Sequence, residues 1–284
     1  MIVITGATGQ LGRLVIDALA EKVPASELIA AVRSPEKAQD LQARGMTLRT
    51  ADYSQPETLR SALRGADKVL LISSSEVGQR VAQHQAVIDA AKAEGVRFIA
   101  YTSLLHADTS PLALADEHRA TEALITASGI PYAILRNGWY TENYAASIAP
   151  ALAHQAFIGA AGEGRIASAA RKDYAAAAAE VMTRDDQAGK VYELAGDDSY
   201  TLAEFSAEIA RQSGQPVEYV NLTPAAFAEA LKNAGLPEAF AGLLADSDAG
   251  AAQGALFDDS RSLSQLTGRP TTPFAEVIKA ALAK

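Results

Sequence analysis

The sequence predicts an α/β fold, a Rossmann-type doubly wound parallel sheet carrying a smaller, mostly helical C-terminal lobe, on three observations. Short apolar runs alternate with segments of helical spacing through the first half of the chain. A glycine-rich turn joins the first apolar run to the first helical segment. After about Arg136 the alternation gives way to an alanine-rich stretch dominated by helix signals.

The apolar runs Ile2 to Thr5, Leu28 to Val32, Met46 to Leu48, Lys68 to Ile72, Arg97 to Thr102 and Tyr132 to Leu135 read as buried strands. Between them, helical spacing occupies residues 10–21, 36–44, 56–64, 79–93 and 115–127. Right-handed crossovers then favour a doubly wound order. Further on, helices are expected near 142–154 and 173–182, with a strand run from Val191 to Leu194. Thr201 and Glu204 have the spacing of a capping box for a helix reaching about Gln212, and Thr223-Pro224 opens another. This divides the chain into a nucleotide-binding core over 1–136, with later strands returning to its sheet, and a smaller substrate lobe over 137–284 sharing its cleft.

Composition excludes several function classes. A chain of 284 residues can bury a sizeable core, and its net charge of −9 argues against nucleic acid or anionic membrane as a partner. The absence of cysteine excludes disulfides, thiolate catalysis and cysteine-ligated metals. Met1 to Thr5 is already a strand pattern, with no charged leader, so a cytoplasmic protein is expected.

Gly6-Ala7-Thr8-Gly9-Gln10-Leu11-Gly12 follows a strand and opens a helix, the setting in which a glycine fingerprint cradles a dinucleotide. Gly6 permits the tight turn, Gly9 a close backbone approach to pyrophosphate, and Gly12 close helix–strand packing. Its Gly-x-x-Gly-x-x-Gly spacing is that of short-chain dehydrogenases. The second strand ends at Arg33, where a carboxylate would grip the ribose hydroxyls of NAD. A guanidinium there forks onto a 2′-phosphate instead, so NADPH is the expected cofactor. Asp52-Tyr53 and Ser73-Ser74-Ser75 end the third and fourth strands, along the path such a cofactor would take.

No tyrosine among the nine has a lysine four positions later, so the proton donor of classical short-chain dehydrogenases is missing. His84, His106, His118 and His154 lack metal-ligand spacing and read as polar residues of loops or helix surfaces; no metal is expected. Gly159 to Gly164 opens no helix and reads as a hairpin or loop. After the sixth strand, Asn137-Gly138-Trp139-Tyr140-Thr141-Glu142-Asn143-Tyr144 crowds aromatics and amides together, as a pocket wall would, and Asn137 or Asn143 could bond a carboxamide or quinone carbonyl.

The stretches 5–12, Arg33, Ile72 to Arg80, Tyr101 to Asp108, Leu135 to Tyr140, Leu194 to Asp197 and Asp258 to Ser260 together resemble the bacterial type 2 NADPH:quinone oxidoreductases, NmrA-like atypical short-chain dehydrogenases. The resemblance implies NADPH along Gly6, Thr8, Gly9, Gln10, Leu11, Arg33, Ser73, Ser74, Ser75, Asn137, Gly138, Trp139 and Tyr140. It implies reduction of a small quinone, with Asn143 and Tyr140 positioning the acceptor, by a monomer or homodimer. A quinone takes hydride without a built-in acid, which suits the missing tyrosine–lysine pair. Relatives of this kind also include triphenylmethane dye reductases, isoflavone-reductase-like enzymes and non-catalytic NADP-sensing regulators, the last two keeping the nucleotide site while changing the cleft.

Overall fold

The computed structural model describes residues 1–284. The chain forms two compact units, one of residues 1–107, 116–137 and 172–192, the other of 108–115, 138–171 and 193–284.

The first unit is built on the alternation read from the sequence. In order come β1 (Ile2–Ile4), α1 (Gln10–Ala20), β2 (Leu28–Val32), α2 (Gln39–Ala43), β3 (Thr47–Thr50), α3 (Pro56–Leu63), β4 (Lys68–Leu71), α4 (Arg80–Ala93), β5 (Phe98–Leu104), α5 (Ala115–Ala127) and β6 (Tyr132–Asn137). The strands β1 to β6 are parallel, with Ile4 level with Ala30 of β2 and Leu70 of β4. Every residue of β1, β2 and β5 is buried, which requires helices on both faces and explains why these strands are unbroken apolar runs rather than alternating ones. On one face Val3, Ile29, Val69, Ile99 and Tyr101 pack against Leu59 and Leu63 of α3, Val87 and Ile88 of α4, and Ile125 of α5.

The second unit begins its long run with α6 (Thr141–Ala145), α7 (Ile148–His154) and β7 (Ala156–Gly159). The single helix expected over 142–154 is therefore two. Pro150 has no N–H for the carbonyl of Ala146 and its ring would clash there, so the chain breaks at Ala146–Ser147 and restarts with Pro150 in a first turn, where proline is tolerated. The chain then returns to the first unit for nearly all of α8 (Arg171–Thr183) and most of β8 (Lys190–Leu194), and the second unit resumes with α9 (Leu202–Ser213), β9 (Glu218–Asn221), α10 (Pro224–Asn233) and α11 (Glu238–Ala252). The alanines 175 and 177–179 of α8 are buried, and Glu180 pairs with Lys22 just beyond α1 at 2.5 Å. The strand order is β3-β2-β1-β4-β5-β6-β8, with a separate pair β7-β9.

Thr201 and Glu204 form the capping box that their spacing predicts, and Thr223 caps α10. The Gly159–Gly164 segment is a loop and not a hairpin, because β7 runs parallel to β9 and a tight turn joins only antiparallel strands. Tyr144, Phe157, Tyr200, Phe205 and Phe274 form the aromatic core of this unit, with ring centroids 4.5–6.5 Å apart. No helix is long and apolar enough to cross a membrane.

Candidate active site

The strand order reverses between β1 and β4, and open α/β sheets bind ligands in the crevice that such a reversal leaves at the carboxyl ends of the strands. Thr5 joins the two strand ends there. Its hydroxyl donates to the carbonyl of Leu70 at 3.2 Å and accepts the N–H of Ile72 at 3.0 Å.

The glycine turn follows at once. Gly6 takes a φ of +58°, and its carbonyl accepts the N–H of Gly9 at 3.0 Å. A Cβ on Gly12 would lie 2.2 Å from that carbonyl oxygen and 2.9 Å from the Cα of Ala7, so only glycine lets α1 start this close to the strand. Gly9 offers no side-chain cap, and the first turn of α1 carries no acid. The opening amides and the positive end of the helix dipole are thus left to an outside anion. Gly6, Thr8, Gly9 and Gln10 are exposed, while Leu11 is buried beneath them.

Arg33 stands exposed past the end of β2, 3.7 Å from Glu76. Asp52, beyond β3, spends its carboxylate on its own loop, accepting from the Ser54 N–H at 2.9 Å, the Ser54 hydroxyl at 2.7 Å and the Gln55 amide at 3.1 Å. Those bonds hold its carboxyl below the usual range, Ser54 first among them.

The serines after β4 differ in what they do. Ser73 donates its N–H to the Thr102 hydroxyl at 2.8 Å, and Ser75 is exposed. Ser74 is buried, its carbonyl accepting from Arg80 Nε at 2.5 Å and its N–H donating to His84 Nε2 at 2.9 Å. Arg80 also reaches His118 Nε2 at 3.4 Å, and His118 Nδ1 lies 2.7 Å from the Tyr101 hydroxyl. His84 and His118 are therefore not the surface residues their sequence context indicated. They belong to a buried polar cluster on the inner faces of α4 and α5, and burial lowers their pKa values to about 4 and about 3.

At the end of β6 lies Asn137, buried, with a side-chain oxygen that no donor reaches. An unpaired buried acceptor costs roughly 1–3 kcal/mol, so this one fits an incoming N–H donor, such as the carboxamide of a nicotinamide. The turn, the helix start and this acceptor all fit a dinucleotide.

In the second unit, the N–H of Gly138 donates to the carbonyl of Leu194 at 2.7 Å, and Trp139 and Thr141 exchange backbone bonds with Ala169 at 3.1 and 3.0 Å. These contacts bring residue 171 beside α6. The Arg171 guanidinium lies 4.7 Å over the Tyr140 ring, and its Nη2 is 3.5 Å from Oδ1 of Asn143. Both oxygens of Glu142 accept the Arg171 N–H at 3.0 Å, capping α8. Trp139 is buried, whereas Tyr140, Asn143 and Arg171 are half-buried. Sequence reasoning passed over Arg171 and Glu76. One signal for Arg171 was available, since a cation in the first turn of a helix opposes the dipole and calls for a reason.

Residues 6–185 match the model of an NAD(P)H-binding family. The chain belongs to that family. It is 62% identical over 278 residues to quinone oxidoreductase 2 of Escherichia coli K12, covering 98% of this chain and 97% of that protein. The crystal structure of the NADPH-dependent quinone oxidoreductase from Escherichia coli, complexed with NADPH, superposes with a TM-score of 0.98 at 61% identity, covering 99% of this chain and 100% of that one. The Citrobacter sp. triphenylmethane reductase complexed with NADP(H) superposes at 0.95 with 38% identity, covering 99% of this chain and 100% of that one. The resemblance to the type 2 quinone oxidoreductases expected from scattered motifs thus extends over nearly the whole chain, and the family's NAD(P)H-binding region opens at Gly6 of the glycine turn.

Proposed function

We propose that the protein is an NADPH-dependent oxidoreductase that reduces quinones. The observation that carries the acceptor class is the 62% identity, over 98% of the chain, to a quinone oxidoreductase. When bound, NADPH supplies the hydride.

The chain's own residues bind and orient. The first amides of α1 hold the pyrophosphate, assisted by the helix dipole. Arg33 holds the 2′-phosphate, and Ser73 to Ser75 border the cofactor where it passes the end of β4. Asn137 would accept an N–H of the nicotinamide carboxamide. Gly138, Trp139 and Tyr140 would contribute to cofactor binding, and Tyr140 and Asn143 would position a flat acceptor. No tyrosine–lysine acid is needed, because the reduced quinone is a good enough anion to wait for a proton from water. The enzyme works on a small quinone as a monomer or homodimer.

Two other readings share the nucleotide site. The likeness to triphenylmethane reductase favours dyes as alternative acceptors. A non-catalytic NADP sensor would bind the cofactor and stop there. Anaerobic oxidation of NADPH, followed against a panel of quinones and triphenylmethane dyes, tests all three. The proposal expects NADPH oxidation to rise with quinone concentration. Tight NADPH binding with no turnover of any acceptor would leave the sensor reading standing.

A further inference from the structure

We propose that Arg171 is a catalytic residue whose guanidinium holds the oxygen of the quinone that becomes negative as hydride arrives. The inference rests on the quinone-reductase reading above. Its basis is a guanidinium whose own contacts are a ring and a neutral amide, with no carboxylate bonded to it. Arg171 begins α8, and its backbone N–H is held by both oxygens of Glu142 at 3.0 Å. That carboxylate is thereby committed to the main chain. The guanidinium faces instead a ring, Tyr140 at 4.7 Å, and a neutral amide oxygen, Asn143 Oδ1 at a long 3.5 Å.

An aromatic face attracts and orients a cation but leaves its N–H groups free at the edge. Arginine stays charged and is weakly hydrated, so it loses little on being half-buried. The result is a pre-oriented donor whose guanidinium forms no ion pair, beside the two residues assigned to the acceptor. Ground-state quinone presents that donor with a neutral carbonyl. Hydride addition to one carbonyl oxygen forms its O–H and drives an electron pair through the ring onto the far oxygen, giving the hydroquinone monoanion while the nicotinamide is oxidised. A proton from water then completes the hydroquinone. The interaction with Arg171 strengthens as charge develops, so it favours the transition state over the bound substrate.

The test uses Arg171→Gln and Arg171→Lys in the full chain. NADPH affinity is measured by fluorescence titration, and hydride transfer by stopped flow with quinones of graded reduction potential. Arg171→Gln should slow hydride transfer about a hundredfold, while NADPH binding stays within about twofold of wild type. The loss should be larger for low-potential quinones, whose transition states carry more negative charge, and Arg171→Lys should recover part of the rate. A loss of NADPH affinity equal to the loss of rate would assign Arg171 to a cofactor phosphate and overturn the proposal, as would unchanged turnover. If the glutamine variant loses its melting transition, the lysine variant decides, with about tenfold slower transfer at unchanged NADPH affinity expected. A wild-type protein inert to every quinone rejects the functional reading itself, whereas a normal wild type with an unaffected variant rejects only the role of Arg171.

Discussion

The backbone N–H of Ser74 donates to Nε2 of His84 at 2.9 Å, so the loop closing β4 hangs on a histidine with no exposure to solvent. That bond requires an unprotonated Nε2 and places the proton on Nδ1, which donates to the Thr121 hydroxyl at 2.9 Å. Thr121 in turn donates to the carbonyl of Glu117 at 2.8 Å. Every donor in this chain finds an acceptor only while His84 is neutral.

Acid should therefore destabilise the fold. Burial, with the charge of Arg80 beside it, lowers His84 from 6.5 to about 4. The unfolded chain takes up a proton in that window and the folded one does not, so stability is complete above pH 6.5 and falls as pH drops toward 4. His84 alone accounts for roughly 3 kcal/mol of that loss, at about 1.4 kcal/mol per pKa unit, and His118 acts in the same direction, its pKa lowered to about 3. Thermal melts of wild type and His84→Gln between pH 7 and 4 check this, and the variant should show the shallower slope.

Asp248 works the other way. Its oxygens accept from the Tyr144 hydroxyl at 3.2 Å and the Ala160 N–H at 2.8 Å, and burial raises its pKa to about 6. The folded state holds this proton more tightly than the unfolded chain does, so the group costs stability as pH rises from 3.8 through 6. Asp248→Asn keeps an acceptor and a donor but never ionises. It should melt higher than wild type at pH 8, by up to roughly 3 kcal/mol of stability, and the difference should vanish near pH 4.

Gly12→Ala tests the turn itself. Its new Cβ would meet backbone on both sides, at the Gly6 oxygen and Ala7, and backbone cannot swing aside as a flexible side chain can. A loss of roughly 2–4 kcal/mol in denaturant melts is expected, together with weakened NADPH binding.

Arg33→Ala should weaken NADPH about tenfold to a hundredfold and leave NADH nearly unchanged, in line with one charge-assisted contact. Arg33 and Glu76 are 74% and 52% exposed, so their ion pair at 3.7 Å is a weak competitor for the guanidinium. Glu76→Gln should accordingly tighten NADPH only a few-fold, and less at high salt. Paired titrations with both cofactors measure the two effects, and equal losses for NADPH and NADH in Arg33→Ala would remove the assignment.

Asn143→Ala should lower quinone turnover more than NADPH affinity, since its amide sits with Tyr140 and Arg171. Steady-state kinetics alongside direct NADPH titration separate the two. A variant with normal turnover and collapsed NADPH affinity would show that the segment serves the cofactor.

Much of the scaffold is written locally. The unbroken apolar runs of β1, β2 and β5, the glycine spacing of 6, 9 and 12, and the Thr201–Glu204 box each depend on neighbours a few residues away. Backbone preference and burial pattern are near-neighbour properties, so the doubly wound sheet and its phosphate turn are legible in the sequence alone. Even the break at Ala146 is encoded, in Pro150, though periodicity alone runs across it.

The tertiary structure decided which polar side chains meet. A histidine on a helix looks the same in sequence whether it faces water or a neighbouring helix, and only the packing of α4 against α5 buried His84 and His118. Tyr144 and Asp248 bond across 104 positions of sequence, and Arg171 reaches Tyr140 only because Ala169 pairs with the backbone of Trp139 and Thr141. Such contacts depend on how whole elements dock, which no local pattern records, and they set the charges and protonation states on which the chemistry turns.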